Sequence, residues 1–248
     1  MSGPAQLRVG VLILAVLALS ACALRGPTDA RVTSEREMVV VLHGLGRNPG
    51  SMWLLGSRIE NAGFDVTRIG YDSLNEPPEQ ILAEVSRKID ACCAASEWPV
   101  HFVGHSLGGL IIRAYLAQHK VRSLGRVVLI AAPNAGTPLV DTYRDAWWMG
   151  LAGPTAKRLG SGADSFPRSL PAPDYPVGVI AGVSEIPVLK DVIPGDDDGL
   201  VPLASASLAG MTDFVIVKSS HSLLRYSWEV ARQTIAFLRC GGFVHDDS

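Results

Sequence analysis

The chain is predicted to fold as an α/β protein, with about six mostly parallel strands, helices on both faces and a small cap. Three observations lead there. Six apolar, largely β-branched runs alternate with stretches of helical spacing, and continuous apolar runs are what strands buried on both faces require. One of those runs, Val100 to Val103, stops at Gly104-x-Ser106-x-Gly108 and is followed at once by an amphipathic helical pattern from about Leu110 to His119. Finally, 248 residues at 48% hydrophobic content are enough for one domain with a full core. The formal net charge of −2 and the lack of a basic stripe argue against a nucleic-acid partner. Four cysteines without Cys-x-x-Cys or His-x-x-x-His spacing argue against a structural zinc site.

At the amino end, Val9 to Leu19 is an apolar run preceded by Arg8, too short for a spanning helix but suited to a signal peptide. It ends in Leu19-Ser20-Ala21-Cys22, which resembles the bacterial lipoprotein signal. That resemblance implies a signal peptide over residues 1–21, a lipidated Cys22, and a polar tether over 22–36. Two or more acyl chains on Cys22 would anchor the protein stably in a membrane. Ala23 after the cysteine implies the outer membrane of a bacterial envelope, on the periplasmic side. A secretory signal cleaved nearby, or a buried N-terminal helix, is the alternative.

Residues 37–248 are predicted to form the folded domain. Met38 to Leu42 is its first buried strand and runs into His43-Gly44-Leu45-Gly46, after which Asn48-Pro49 starts a helix through Ala62. Phe64 to Ile69 is the second strand, and Glu79 to Ala95 has helical spacing through Ile81, Leu82, Val85 and Ile89. Adjacent cysteines on a helix cannot both face one partner. So either one of Cys92 and Cys93 pairs with Cys240 in an oxidising envelope, or these are buried reduced thiols.

At Gly104-x-Ser106-x-Gly108 the reason for the glycines is steric. A turn tight enough to expose the serine Oγ strains its backbone and leaves no room for side chains two residues to either side. The helix N-terminus beneath the serine favours developing negative charge. An ordinary strand-to-helix turn with a surface serine is the bland alternative.

Arg126 to Ala132 is the next strand, and Val177 to Gly182 the one after it. Between them, residues 139–174 are irregular, and the resemblance to a known family carried by the surrounding motifs implies a cap insertion there. Trp147 and Trp148 would either line an apolar pocket under such a cap or belong to the core. Val188 to Val192 then leads into Asp196-Asp197-Asp198-Gly199-Leu200-Val201-Pro202, which lacks the regular oxygen-ligand spacing of a calcium loop. Phe214 to Val217 is the last strand. His221 follows it, and a helix is expected from about Leu223 to Leu238.

The strand–Gly-x-Ser-x-Gly–helix unit, the His-Gly-x-Gly loop after the first strand and the Asp-Gly-x-Val-Pro loop resemble the α/β-hydrolase family in its lipase-like, esterase branch. The resemblance covers about Glu37 to Phe243. It implies Ser106 as nucleophile, His221 as base and Asp198, with Asp197 as runner-up, as the acid. They lie in the chain order Ser, Asp, His. It further implies an oxyanion hole from the N–H groups of Leu45 and Leu107, with His43 bracing its loop and no cofactor or metal required. The chain departs from larger members in lacking two antiparallel strands before the first buried one, which implies a compact six-stranded core.

The function expected from this is hydrolysis of carboxylic esters, of a small molecule or lipid, by a monomeric serine hydrolase. Acyl transfer or thioester cleavage by the same residues is the alternative. From another class, an inactive envelope lipoprotein could use the fold as a binding module. His101, His105, His119 and His245 are expected to be structural or surface residues.

Overall fold

A computed structural model describes residues 37–185 and 191–245. The signal peptide, Cys22 and tether readings lie outside the described residues, as does Val188 to Lys190 before the acid loop.

Six strands form one all-parallel sheet in the order β2-β1-β3-β4-β5-β6. They are β1 (Met38–Leu42), β2 (Asp65–Ile69), β3 (Val100–His105), β4 (Leu124–Ile130), β5 (Val177–Val183) and β6 (Asp213–Lys218). This is the predicted α/β-hydrolase architecture. Each strand lies within about two residues of its expected bounds.

The continuous apolar runs work as two-faced strands. Along β1, Val40 and Leu42 enter one core cluster while Val39 and Val41 enter the other. Phe102 and Val103 on β3, and Leu129 and Ile130 on β4, divide the same way, as the period of two demands. Each such fully buried aliphatic side chain contributes about 1.5–3 kcal/mol.

One face is covered by α2 (Pro78–Cys92), which buries Ile81, Val85 and Ile89 at helical spacing, and by α3 (Leu107–Gln118). The other is covered by α1 (Trp53–Asn61), through Leu55 and Ile59, and by the C-terminal helix, through Val230 and Phe237.

Four short α-helices precede the last one: α4 (Pro138–Tyr143), α5 (Gly153–Ala156), α6 (Phe166–Ser169) and α7 (Leu203–Ala206), with 3-10 turns at Pro49–Met52 and Trp147–Ala152. The C-terminal helix α8 (Trp228–Cys240) starts later than its apolar spacing suggests. Leu224–Tyr226 is a separate 3-10 turn, and Ser227 in extended backbone caps α8 by accepting from Val230 N–H.

Two expectations need correction. Cys92 and Cys93 are disulfide-bonded to each other, so neither is a free thiol and neither pairs with Cys240. Cys93 has already left helical geometry, which lets two neighbouring side chains converge where a continuing helix would hold them apart. In the cap, Trp147 is 85% exposed and Trp148 40% exposed, so neither is a core residue.

The cap is fastened at several points. Thr137 Oγ1 donates to Leu200 O (2.7 Å) and Thr155 Oγ1 to Glu76 O (2.7 Å). Buried Arg113 on α3 donates to Asn134 Oδ1 (3.2 Å) and to the carbonyls of Leu170 (3.2 Å) and Pro171 (3.1 Å).

Candidate active site

The strand order reverses between β1 and β3: the chain moves outward from β1 to β2, then returns to β1's other side. In an open parallel sheet, ligands bind beyond the carboxyl ends of the strands at such a reversal. The loops that leave β1 and β3 there are His43 to Gly46 and Gly104 to Gly108.

Ser106 has φ 55° and ψ −121°, a region that L-residues avoid. Its turn is held by Ser106 N–H donating to Ile130 O (2.8 Å) and Gly109 N–H to Ser106 O (3.0 Å). A Cβ on Gly104 would lie 2.5 Å from Gly109 N, and one on Gly108 would lie 2.5 Å from Leu42 O. Both obstacles are main chain and cannot swing aside, so the glycine spacing is imposed by the backbone itself.

His221 reaches Ser106, and Asp198 reaches His221. His221 Nε2 lies 3.0 Å from Ser106 Oγ, and His221 Nδ1 lies 2.7 Å from Asp198 Oδ2. Asp198 is 1% exposed, and its Oδ1 accepts from the N–H groups of Leu200 (3.0 Å) and Val201 (2.8 Å). Those bonds fix the carboxylate and leave Oδ2 for the imidazole. Asp197 is turned elsewhere: its Oδ1 accepts from Gly199 N–H at 2.6 Å.

The glycine loop after β1 lies against the serine. A Cβ on Gly44 would sit 3.1 Å from Ser106 Cβ. Gly46 N–H donates to Ser73 Oγ (2.9 Å). Among the described residues, the N–H groups of Leu45 and Leu107 donate to no protein acceptor.

His43 is fully buried and braces this loop. Its Nδ1–H donates to Gly44 O (2.9 Å), its Nε2 accepts from Tyr71 N–H (3.4 Å), and its ring stacks on Tyr71 at 4.2 Å. The Tyr71 hydroxyl donates to His43 O. Burial lowers the His43 pKa below the ordinary imidazole range, so the ring is neutral.

The other histidines divide. His101 faces Glu37 (3.1 Å), His119 faces Asp90 (3.6 Å) and His245 faces Asp213 (2.9 Å), none of them beside Ser106. His105 does not fit with them: its Nε2–H donates to the main-chain oxygen of His221 (3.0 Å). Sequence reasoning left it aside. Its position next to the serine, at the end of a buried strand, was the signal available. Among the described residues, no group of His, Cys, Asp or Glu side chains is arranged to hold a metal ion.

Solved structures of similar fold include a lipase of Bacillus licheniformis in its mature form, with a TM-score of 0.62 and 19% identity over 79% of this chain and 89% of that one. A metagenomic carboxyl esterase has a TM-score of 0.59 and 16% identity over 80% and 70% of the two chains. An extracellular α/β-hydrolase from a Paenibacillus species has a TM-score of 0.53 and 17% identity over 82% and 99%. At such identities the likeness is one of fold. No curated protein matches the chain. The sequence model of the palmitoyl protein thioesterase family matches residues 38–161, half of the chain, from β1 through the elbow and into the cap. This chain therefore belongs to the palmitoyl protein thioesterase family, a hydrolase family with the α/β-hydrolase fold.

Proposed function

We propose that this protein is a serine hydrolase that cleaves carboxylic esters through a covalent acyl-enzyme. The observation that carries the reading is the unbroken relay from Ser106 Oγ to His221 Nε2 (3.0 Å) and from His221 Nδ1 to Asp198 Oδ2 (2.7 Å). His221 takes the proton as Ser106 Oγ attacks the carbonyl carbon, and Asp198 holds the imidazole tautomer and stabilises the imidazolium. The N–H groups of Leu45 and Leu107 receive the oxyanion. The acyl–oxygen bond then breaks, and His221 hands its proton to the departing alkoxide. Water, deprotonated by the same ring, releases the acid and regenerates Ser106.

An apolar acyl chain suits the entrance. Leu74 after β2, Trp147 and Leu151 in the cap, Leu200 after β5 and Leu223 after β6 are all large, apolar and exposed. Leu74, Leu200 and Leu223 lie in loops after strands, and Trp147 and Leu151 lie in a 3-10 turn, Trp147–Ala152, of the β4–β5 connection. A second reading, thioester cleavage, is favoured by the family match. The same relay serves it, with a thiolate leaving in place of an alkoxide. The binding-module reading is weakened by the completeness of the relay.

The test is to treat the protein, beside Ser106→Ala, with a fluorophosphonate probe. p-Nitrophenyl esters of increasing acyl length and the matching acyl thioesters follow. The expectation is labelling and turnover in wild type, both lost in Ser106→Ala with the fold retained. A preference for thioesters at equal acyl length would favour the second reading. A folded wild type that neither labels nor turns over would return the binding module to first place.

The location is part of the proposal. Leu19-Ser20-Ala21-Cys22 supports a lipid anchor on Cys22 in the bacterial envelope, with the outer membrane preferred. Palmitate should label wild type, and Cys22→Ala should lose the label and move to the soluble fraction. Equal labelling of the two would rule out Cys22 as the anchor.

A further inference from the structure

His105 is 3% exposed and sits between the two segments that the proposed reaction depends on. On one side its Nε2–H donates to the carbonyl oxygen of His221 at 3.0 Å, and the two rings lie 5.0 Å apart. On the other side, its Nδ1 is 3.1 Å from where a Gly44 Cβ would be, so the ring also abuts the glycine loop. Its tautomer follows from its surroundings. Burial, with the neighbouring His221, Arg225 and Arg47, pushes the pKa well below the ordinary value. A neutral ring facing a carbonyl oxygen carries its proton on Nε2. The bare Nδ1 is the atom with no hydrogen-bond partner.

His221 needs that support. Its main-chain N–H already donates to Asp198 O (2.8 Å), which fixes one side of the residue. The contact from His105 fixes the other. Because His105 directly precedes Ser106, this bond ties the base to the nucleophile through one short stretch of main chain.

We infer that His105 is a positioning residue, whose hydrogen bond to the His221 carbonyl sets the placement of the base relative to Ser106. The inference rests on the hydrolase reading above and adds a residue to it. His105 touches no reacting atom and acts through His221. Loss of this bond leaves substrate binding alone and misplaces the base, and a displacement of about 1 Å in such a group can cost about 100-fold in rate.

The test compares His105→Leu, His105→Gln and His105→Asn in the full chain on a short, soluble ester, with urea midpoints measured in parallel. Gln carries its side-chain N–H near the position of imidazole Nε2, whereas Asn is too short. The Leu variant is expected to lose about 10- to 100-fold in kcat with KM within about twofold, and Gln to stay within about threefold of wild type. Should Leu fail to fold, the Gln and Asn variants decide, with Gln active and Asn depleted. Wild-type kcat in a folded Leu variant, or equal losses in folded Gln and Asn variants, overturns the inference while the hydrolase reading stands. A wild-type chain that neither labels with fluorophosphonate nor turns over any ester overturns both.

Discussion

Asp198 holds His221 twice: its main-chain oxygen accepts from the His221 N–H at 2.8 Å, and its Oδ2 meets the His221 ring at 2.7 Å. The first contact survives any side-chain change at 198 and the second does not. Asp198→Asn should therefore leave the His221 loop in place and lower kcat by about 10³- to 10⁴-fold, because an amide presents the wrong partner to the imidazole. Asp197→Asn removes only a charged acceptor from Gly199 N–H, so kcat should stay within about threefold and stability should fall by about 1 kcal/mol. Equal kcat losses in the two variants would falsify the assignment of the acid.

The positive φ of Ser106 predicts a trade of function for stability. A left-handed or otherwise avoided backbone costs a non-glycine residue about 1–3 kcal/mol, whereas glycine's added freedom in the unfolded chain takes back about 1 kcal/mol. Ser106→Gly should unfold at higher urea than wild type, by about 1 kcal/mol, with Ser106→Ala near wild type. Identical midpoints for the three proteins would show that the elbow stores no strain.

Buried neutral histidines make the fold sensitive to mild acid. His43, His101 and His105 all have pKa values lowered from 6.5, chiefly by burial. As pH falls through 6.5, the unfolded chain takes up protons that the folded chain refuses, so unfolding becomes easier. Stability should drop by about 2–3 kcal/mol between pH 7.5 and 5.5, before most carboxylates titrate. Urea midpoints across that range measure it; a flat profile would mean that the three rings are protonated while folded.

Arg113 carries a charge into the interior and is solvated there by carbonyl and amide oxygens. Removing the side chain strands those oxygens and unties Leu170 and Pro171 from α3. Arg113→Ala should cost about 3 kcal/mol and expose residues 139–174 to protease. Cleavage no faster than in wild type would show that the cap does not depend on this residue.

What could be read in advance was what the backbone settles locally. The glycines of the elbow obey contacts with Leu42 O and Gly109 N that any such turn creates, so their spacing shows in the sequence. Asp198 could be preferred over Asp197 because Asp198-Gly199-x-Val201-Pro202 resembles the corresponding loop of lipase-like hydrolases, whose acid directly precedes the glycine. The break before α8 had its own signal in Ser227, which apolar spacing alone conceals. Other features depend on packing between distant segments. Nothing local to Cys92 and Cys93 announces that the helix releases the second of them. The 85% exposure of Trp147 likewise has no local signal in the sequence. His105 acquires its partner from a residue 116 positions away.

The sheet order also bears on when the protein becomes competent during its synthesis. Ser106 follows β3, in the middle of the sheet, while Asp198 follows β5 and His221 follows β6, which lies at one border. Domains generally fold as units. A nascent chain that has emerged only through β4 carries Ser106 and neither of its partners. The arrangement of Ser106, His221 and Asp198 is therefore complete only once β6, the last strand made, has docked.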